Sequence, residues 1–198
     1  MPDASFTDPP AAAAWRHIGA REGFETAFCA ARGSGWRLEG WSAAVEDGVA
    51  WTVGYAIDVD ERWCTVAARI TGRSAAGARA VEIAADGTGS GRWLVDGVRV
   101  PALDGCLDVD LEASACTNTL PVHRLALAPG AGAAAPAVYV RAADLAVERL
   151  DQHYRRAADD AATHRYDYES PAFGVAAELV YDAAGLVVDY PGLARRVV

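Results

Sequence analysis

The sequence predicts a mainly β domain, an antiparallel sheet of many strands with at most one or two short helices. The clearest observation is the segment from Val49 to Val59, where large apolar residues alternate with small or polar ones, as in a half-buried strand. A second is Asp96-Gly97, which separates two short apolar runs and is typical of a tight β-hairpin. A third is the turn from Asp182 to Gly185, which lies between two further alternating runs. Successive hairpins favour an antiparallel meander over a parallel sheet with crossover helices.

The N-terminal residues Met1 to Ala14 contain three prolines and four consecutive alanines without periodicity, so we interpret them as a flexible leader. Residues 15–198 then form one predicted domain, because a chain of 198 residues lies within the usual size range of a domain. Pro129 to Pro136 is interpreted as a flexible loop inside this domain, since strand patterns continue on both sides. The segment from Asp151 to Thr163 fits a helix and a strand about equally well, and both remain open.

One face of the Val49–Val59 strand carries its large apolar side chains, among them Trp51 and Tyr55, and Trp93 lies on a later strand. In a closed sandwich these would be ordinary core residues. In an open half-barrel the same face would remain partly unpacked, and the concavity could take an acyl chain. Trp51, Tyr55 and Trp93 are therefore candidate ligand contacts.

A cluster of acids follows the Asp96-Gly97 hairpin. Asp108, Asp110 and Glu112 fall on one face of a predicted strand, opposite the apolar residues between them. Paired carboxylates can serve acid–base chemistry in a glycosidase or bind calcium, but a straight strand does not curve around an ion as a calcium loop does. We therefore expect a solvated acidic face, and keep Asp110 as a candidate ligand contact.

The composition excludes several classes of function. The chain has a net charge of −9 and a pI of about 4.8, so it repels phosphate backbones and anionic headgroups, and neither nucleic acid nor an acidic membrane is an expected partner. It contains no lysine, which excludes a Schiff-base lysine. The four histidines and four cysteines show no metal-ligand spacing. No metal, cofactor or catalytic residue is predicted.

Nothing in the sequence resembles a secretory signal, and the apolar runs are far shorter than the ~20 residues that span a bilayer. We therefore expect a cytoplasmic protein with no integral membrane segment. Cys29 and Cys64 lie in apolar strand-like runs and are expected to be small core residues.

Three stretches together carry a resemblance to a known family. They are Gly91–Gly97 with Leu103–Leu111, Thr117–Leu125, and Gln152–Leu193. With them the chain resembles the bacterial putative glycolipid-binding family, and the Thr-Asn-Thr-Leu-Pro of the second stretch is the most specific signal. The resemblance implies a many-stranded antiparallel spiral roll, similar to the half-barrels that carry lipoproteins between bacterial membranes, and a lipid or glycolipid as ligand.

Polar candidates lie in the same stretches. Asn118 either clamps a sugar or headgroup, or satisfies the backbone of a local turn. His123 and Arg124 are expected on a following strand, where they point to opposite faces and one of them enters the cavity. An arginine there suits a phosphate or carboxylate, and a structural ion pair is the alternative. Tyr154 and Tyr190 complete the candidate ligand contacts.

Three hypotheses follow from these observations. The first is a non-catalytic binder that holds a lipid-like ligand in a concave sheet, with Asn118, Arg124 and Tyr190 near the rim. The second is a hydrolase of a glycoside or lipid ester on the same scaffold, with Asp110 as a base, although no nucleophile motif is found. The third is a structural or interaction domain with a filled core. The ligand and the oligomeric state are not predicted.

Overall fold

The computed structural model describes residues 6–88, 91–158 and 163–198, and in them two sheets account for all strands. The strands in chain order are β1 (Ala12–His17), β2 (Arg21–Arg32), β3 (Gly35–Glu46), β4 (Val49–Val59), β5 (Thr65–Ser74), β6 (Gly77–Ala85), β7 (Trp93–Val95), β8 (Val98–Arg99), β9 (Asp108–Leu111), β10 (Gly132–Ala134), β11 (Ala137–Val140), β12 (Val147–Leu150), β13 (His153–Arg156), β14 (His164–Ser170), β15 (Val175–Tyr181), β16 (Val187–Tyr190) and β17 (Ala194–Arg196). The single α-helix of the described residues is α1 (Thr119–Leu125). This confirms the mainly β prediction.

The larger sheet has fourteen strands in the order β10-β13-β14-β15-β16-β17-β1-β2-β3-β4-β5-β6-β7-β8, with antiparallel pairing throughout. Pairing of β1 with β17 joins the two ends of the chain, so that one continuous sheet wraps around the interior. The alternation predicted for β4 is confirmed, because Trp51, Val53, Tyr55, Ile57 and Val59 are all buried on its inner face. The predicted Asp96-Gly97 hairpin connects β7 and β8, with both residues at positive φ.

The smaller sheet lies inside this wrap and has the order β12-β11-β9, with β9 and β11 parallel. All four residues of β9 are buried, and the strand is tied to the larger sheet by the Thr65 hydroxyl, which accepts from the Val109 N–H at 3.2 Å. The prediction of a solvated acidic face is therefore wrong for Asp108 and Asp110, which are 2% and 8% exposed. Alternation along a strand indicates which residues share a face, but it does not indicate whether that face is exposed to solvent. Both faces of β9 are covered.

The segment predicted as a strand at His123 and Arg124 is instead the helix α1, and this prediction was wrong. Pro121 is the third residue of the helix, where its missing N–H costs nothing because the first four N–H groups of a helix have no intrahelical acceptor. The helix ends at Ala126 in the left-handed region, at φ 43°. His123 and Arg124 are neighbours on one helical turn instead of pointing to opposite faces of a sheet.

Three further segments differ from expectation. The leader was predicted to reach Ala14, yet Ala12–Ala14 already pair with β2, and the Thr7 N–H donates to the Ala183 carbonyl at 2.9 Å; residues 1–5 lie outside the described residues. Within the predicted loop, Gly132–Ala134 form the edge strand β10. The ambiguous segment forms a strand over His153–Arg156, while residues 159–162 lie outside the described part. No helix of the described residues is long and apolar enough to cross a membrane.

Candidate ligand-binding site

The inner face of β4 is filled and not open. Trp51, Tyr55 and Trp93 are 4%, 4% and 1% exposed. The Tyr55 hydroxyl donates to the buried Glu25 carboxylate at 2.7 Å, and the Trp93 indole donates to the Cys106 carbonyl at 3.0 Å. The expected open concavity at this face is therefore wrong, because the smaller sheet and the turns around it occupy the space that an acyl chain would need.

A pocket of about 410 Å³ opens elsewhere, between the smaller sheet and the strands β14–β16. Residues at the start of β2 and the end of β3 also line it. Its lining combines polar and apolar side chains: Ala20, Arg21, Glu46, Asp110, Leu111, Glu112, Ser114, Asn118, Tyr139, Leu150, Tyr168, Phe173, Val175, Tyr190 and Leu193. Three of the predicted ligand contacts, Asp110, Asn118 and Tyr190, are among these residues.

Tyrosines form much of the interior on this side of the molecule. Five of the seven tyrosines in the sequence lie on β13–β16, and all five are buried: Tyr154, Tyr166, Tyr168, Tyr181 and Tyr190. Their rings pack edge to face, with centroids 5.1 Å apart for Tyr154 and Tyr168 and 5.8 Å apart for Tyr168 and Tyr190. Two of these tyrosines, Tyr168 and Tyr190, also line the pocket.

Asp110 places a buried carboxyl in the pocket. Its Oδ1 accepts from the Thr117 hydroxyl at 2.8 Å, and its Oδ2 accepts from the Gln152 amide at 2.5 Å. Burial raises the pKa of Asp110, the Thr117 and Gln152 hydrogen bonds oppose the rise, and the nearby Asp108 adds to it. A carboxylate offers about four acceptor positions, and Thr117, Gln152 and the Leu111 N–H take three of them, which leaves about one for a ligand.

Two buried side chains in the pocket have donors that no described residue uses. Asn118 is 4% exposed, and its Oδ1 accepts from the Tyr154 hydroxyl at 2.9 Å, which fixes the amide plane. Within the described residues its Nδ2 donates no hydrogen bond, and the Tyr139 hydroxyl, on a side chain 6% exposed, likewise has no hydrogen-bond partner there. Both donors belong to side chains that line the pocket, where they are available to hydrogen-bond a ligand in place of water.

The charged groups of the pocket are mostly acidic. Arg21 donates through Nη1 to the Glu112 carbonyl at 2.6 Å, and its Nη2 lies 3.4 Å from the Glu46 carboxylate. The Glu112 carboxylate accepts from the Ala142 N–H at 2.7 Å. Three acidic side chains with one guanidinium make the pocket unfavourable for an anionic ligand.

His123 and Arg124 do not line this pocket. His123 stacks on Trp63 with ring centroids 3.8 Å apart, and burial lowers its pKa to about 4. Arg124 forms a two-point ion pair with Asp108, at 2.9 Å and 2.5 Å, and its side chain is 11% exposed. Both side chains tie α1 to its surroundings.

The sequence reasoning missed most of the pocket, including Arg21, Tyr139, Tyr168 and Phe173. Tyr168 had a usable signal, because Tyr166 and Tyr168 alternate along one strand and share its buried face. Arg21 and Tyr139 had none, since their positions depend on contacts between residues 91 positions apart and on an inner sheet that the sequence did not predict. Among the described residues, no cluster of histidine, cysteine and acidic side chains suits a metal ion.

Comparisons with known proteins agree with this architecture. A crystal structure of a DUF1089 family protein from Pseudomonas aeruginosa superposes with a TM-score of 0.76 at 32% identity, covering 98% of this chain and 99% of that one. A β-barrel-like protein of the DUF1849 family from Brucella abortus superposes with a TM-score of 0.54 at 9% identity, covering 97% and 96% of the two chains, and shares the fold alone. No curated protein matches. The family model described as "Putative glycolipid-binding" matches residues 12–196, and the chain therefore belongs to that family.

Proposed function

We propose that the pocket binds a neutral, hydroxyl-rich headgroup, as carried by a glycolipid, without catalysis. The supporting observation is the pairing of unused donors, Asn118 Nδ2 and the Tyr139 hydroxyl, with the acceptor capacity of Asp110 in one pocket. A sugar hydroxyl both donates and accepts, so it can satisfy the two kinds of group together.

Size and charge support the same ligand. A volume of about 410 Å³ lies near the lower end of the roughly 300–1,000 Å³ that is typical of small-molecule sites. The acidic lining disfavours phosphate and carboxylate headgroups. Leu150, Val175 and Leu193 supply apolar wall for the first methylenes of a chain, each worth about 0.8 kcal/mol when buried.

The remaining candidates divide between direct and supporting roles. Asp110, Asn118 and Tyr190 are proposed as direct contacts, and Tyr154 as a positioning residue that orients the Asn118 amide. The proposed compartment is the cytoplasm, which the four free cysteines support because disulfides form in oxidising compartments.

The test is calorimetric titration with octyl glucoside below its micelle concentration. Tyr139→Phe should weaken binding about threefold to tenfold, as expected for loss of one hydrogen bond, and should leave the melting temperature unchanged because no described residue uses that hydroxyl. Tyr166→Phe, a buried tyrosine outside the pocket, is the matched control. Equal affinity in Tyr139→Phe and wild type, for octyl glucoside and for other neutral octyl glycosides, would refute the proposal.

Glycoside hydrolysis is the second candidate, because Asp110, Glu46 and Glu112 line one pocket and glycosidases use two carboxyl groups. The raised pKa of Asp110 suits an acid more than a base. Turnover of nitrophenyl glycosides that disappears in Asp110→Asn would establish this activity. Binding without turnover in the wild type supports the non-catalytic proposal.

A further inference from the structure

Four large apolar side chains protrude together from the outer face of β2 and β3. Phe24, Phe28, Trp41 and Val45 are 58%, 47%, 58% and 48% exposed, and we refer to them as the outer patch. In the strand register Trp41 lies opposite the residue midway between the two phenylalanines, and its ring centroid is 6.3 Å from that of Phe28. The four residues therefore form a contiguous surface, which single scattered apolar residues do not.

Trp41 packs against the backbone of the neighbouring strand β4. The indole lies over Gly54, its register partner on β4, where an added Cβ would come within 3.0 Å of the indole Nε1 and 3.1 Å of Cδ1. Covering a glycine accounts for the position of the ring, but it does not explain why the indole and two neighbouring phenylalanines remain exposed.

The outer patch is flanked by arginines. Arg16 pairs with Phe24 in the register, and Arg73 lies on the same row of the sheet, beyond Ala43 and Thr52. Both arginines are exposed, and within the described residues neither forms an ion pair.

The acids of the same face are largely neutralised. Glu39 and Asp58 both pair with Arg37, Asp58 also lies 3.5 Å from Arg32, and Glu82 pairs with Arg69 at 3.7 Å. Glu22, the register partner of Val45, forms no ion pair within the described residues. Arg16 and Arg73 therefore outnumber the unpaired Glu22, so the surroundings of the patch carry one net positive charge although the whole chain carries a net charge of −9.

The outer patch also adjoins the proposed binding pocket. Arg21 and Glu46 are register partners and line the pocket, and the next pair along the same two strands is Glu22 and Val45. Because side chains alternate along a strand, Arg21 and Glu46 point to the inner face of the sheet and Glu22 and Val45 to its outer face.

We infer that the outer patch docks on the surface of an anionic lipid bilayer, with its aromatic rings at headgroup level and Arg16 and Arg73 against the phosphates. Tryptophan is enriched at that level of membranes, and each basic residue near an anionic surface adds attraction. The choice of a bilayer over a second copy of this chain rests on the proposed function, because a bilayer presents glycolipid headgroups beside the pocket.

The test is co-sedimentation of the full chain with vesicles of phosphatidylcholine alone and of phosphatidylcholine with phosphatidylglycerol. Wild type should bind the anionic vesicles more tightly, and salt should weaken that binding. Phe28→Ser with Trp41→Ser should reduce binding at least tenfold, and Arg16→Gln with Arg73→Gln should reduce it on anionic vesicles alone, by about fivefold for each charge. Val98→Ser, a residue 67% exposed on β8, is the matched control and should bind as wild type.

Octyl glucoside titration of the same variants separates this inference from the proposed function. Patch variants that no longer bind vesicles but still bind octyl glucoside would support docking by the patch. If the wild type binds vesicles through the patch but binds no glycoside, only the pocket proposal is refuted. Equal vesicle binding by wild type and patch variants, no vesicle binding at all, or a dimer in solution that Trp41→Ser dissociates without any vesicle binding would each overturn the inference.

Discussion

The two halves of the interior differ in what fills them. Under β3–β6 the inner face carries aliphatic residues and tryptophan, and Leu38, Ile57, Ile70 and Ile83 are at most 1% exposed. Under β13–β16 it carries tyrosines, and the pocket that contains Asp110 and Asn118 opens there. We call these the aliphatic half and the tyrosine half.

The difference shows how one continuous sheet can combine a rigid core with a binding pocket. Aliphatic side chains interdigitate to crystal-like density and leave no room. In the tyrosine half the rings of Tyr168 and Tyr190 line a pocket beside Asp110 and Asn118, and their hydroxyls give that pocket polar walls. Stability should therefore depend mainly on the aliphatic half and ligand binding on the tyrosine half.

The largest expected effect is a contrast between two Leu→Ala substitutions. Leu38→Ala, in the aliphatic half, should lower the free energy of unfolding by about 2–5 kcal/mol, because a fully buried side chain leaves a cavity. Leu193→Ala, at the half-buried wall of the pocket, should cost less than about 2 kcal/mol. Urea unfolding of both variants measures the contrast, and equal losses would show that the pocket wall is packed as tightly as the core.

A second contrast enlarges side chains instead of truncating them. Val53→Trp, in the aliphatic half, should overpack the core and cost ~1–3 kcal/mol or more. Val175→Trp, at the pocket wall, should cost less and should abolish octyl glucoside binding, because the pocket can accept the added volume. If Val175→Trp is as destabilising as Val53→Trp, the pocket is not an open space, and if Val175→Trp binds octyl glucoside normally, the glycoside does not bind in this pocket.

The smallest expected effect concerns pH. Burial and the nearby Arg21 lower the pKa of His17, which lies beside Trp51 of the aliphatic half, to about 4. Since the folded state binds this proton less readily than the unfolded state, stability is complete above pH 6.5 and falls as the pH drops from 6.5 toward 4. Between pH 6.5 and 5.5 the loss should be about 1 kcal/mol.

Substitution of His17 by asparagine isolates this contribution, because the variant lacks the titrating group. The stability difference between wild type and His17→Asn should shrink as the pH falls from 7.5 to 5, as followed by urea unfolding. In the tyrosine half the sign is opposite, because burial raises the pKa of Asp110 and low pH favours its neutral form. A pH-independent difference between the two proteins would mean that His17 titrates normally when folded.

The strands were predictable because their signals are local. Val49 to Val59 alternates without interruption, and the observed strand has those bounds. Asp96-Gly97 and the turn before β16 were also found, since a glycine or aspartate at a tight turn acts within a few residues. The helix at Thr119 was missed because the rule against proline in helices does not apply to the first turn, and only the surrounding packing decides whether that turn forms.

The candidate site was harder to predict than the strands. Asp110, Asn118 and Tyr190 were identified and do share one pocket, but they were grouped with Trp51, Tyr55 and Trp93, which lie in the filled half. Tyr55 shows why: its ring crosses Gly40 on the neighbouring strand, where a Cβ would lie 2.2 Å from the ring, and its hydroxyl reaches Glu25. Contacts of this kind between neighbouring strands cannot be inferred from the alternation of a single strand.

The sequence by itself determined the long alternating strands such as β4 and the tight turns at Asp96-Gly97 and before β16, because side-chain alternation and turn chemistry act over a few residues. Only the tertiary structure decided what covers each buried face. The β9 acids became interior groups because Arg124, Thr117 and Gln152 arrive from other segments to pair with them. A pocket opened under the tyrosines and not under Trp51, because the inner sheet fills one half of the wrap and leaves space in the other.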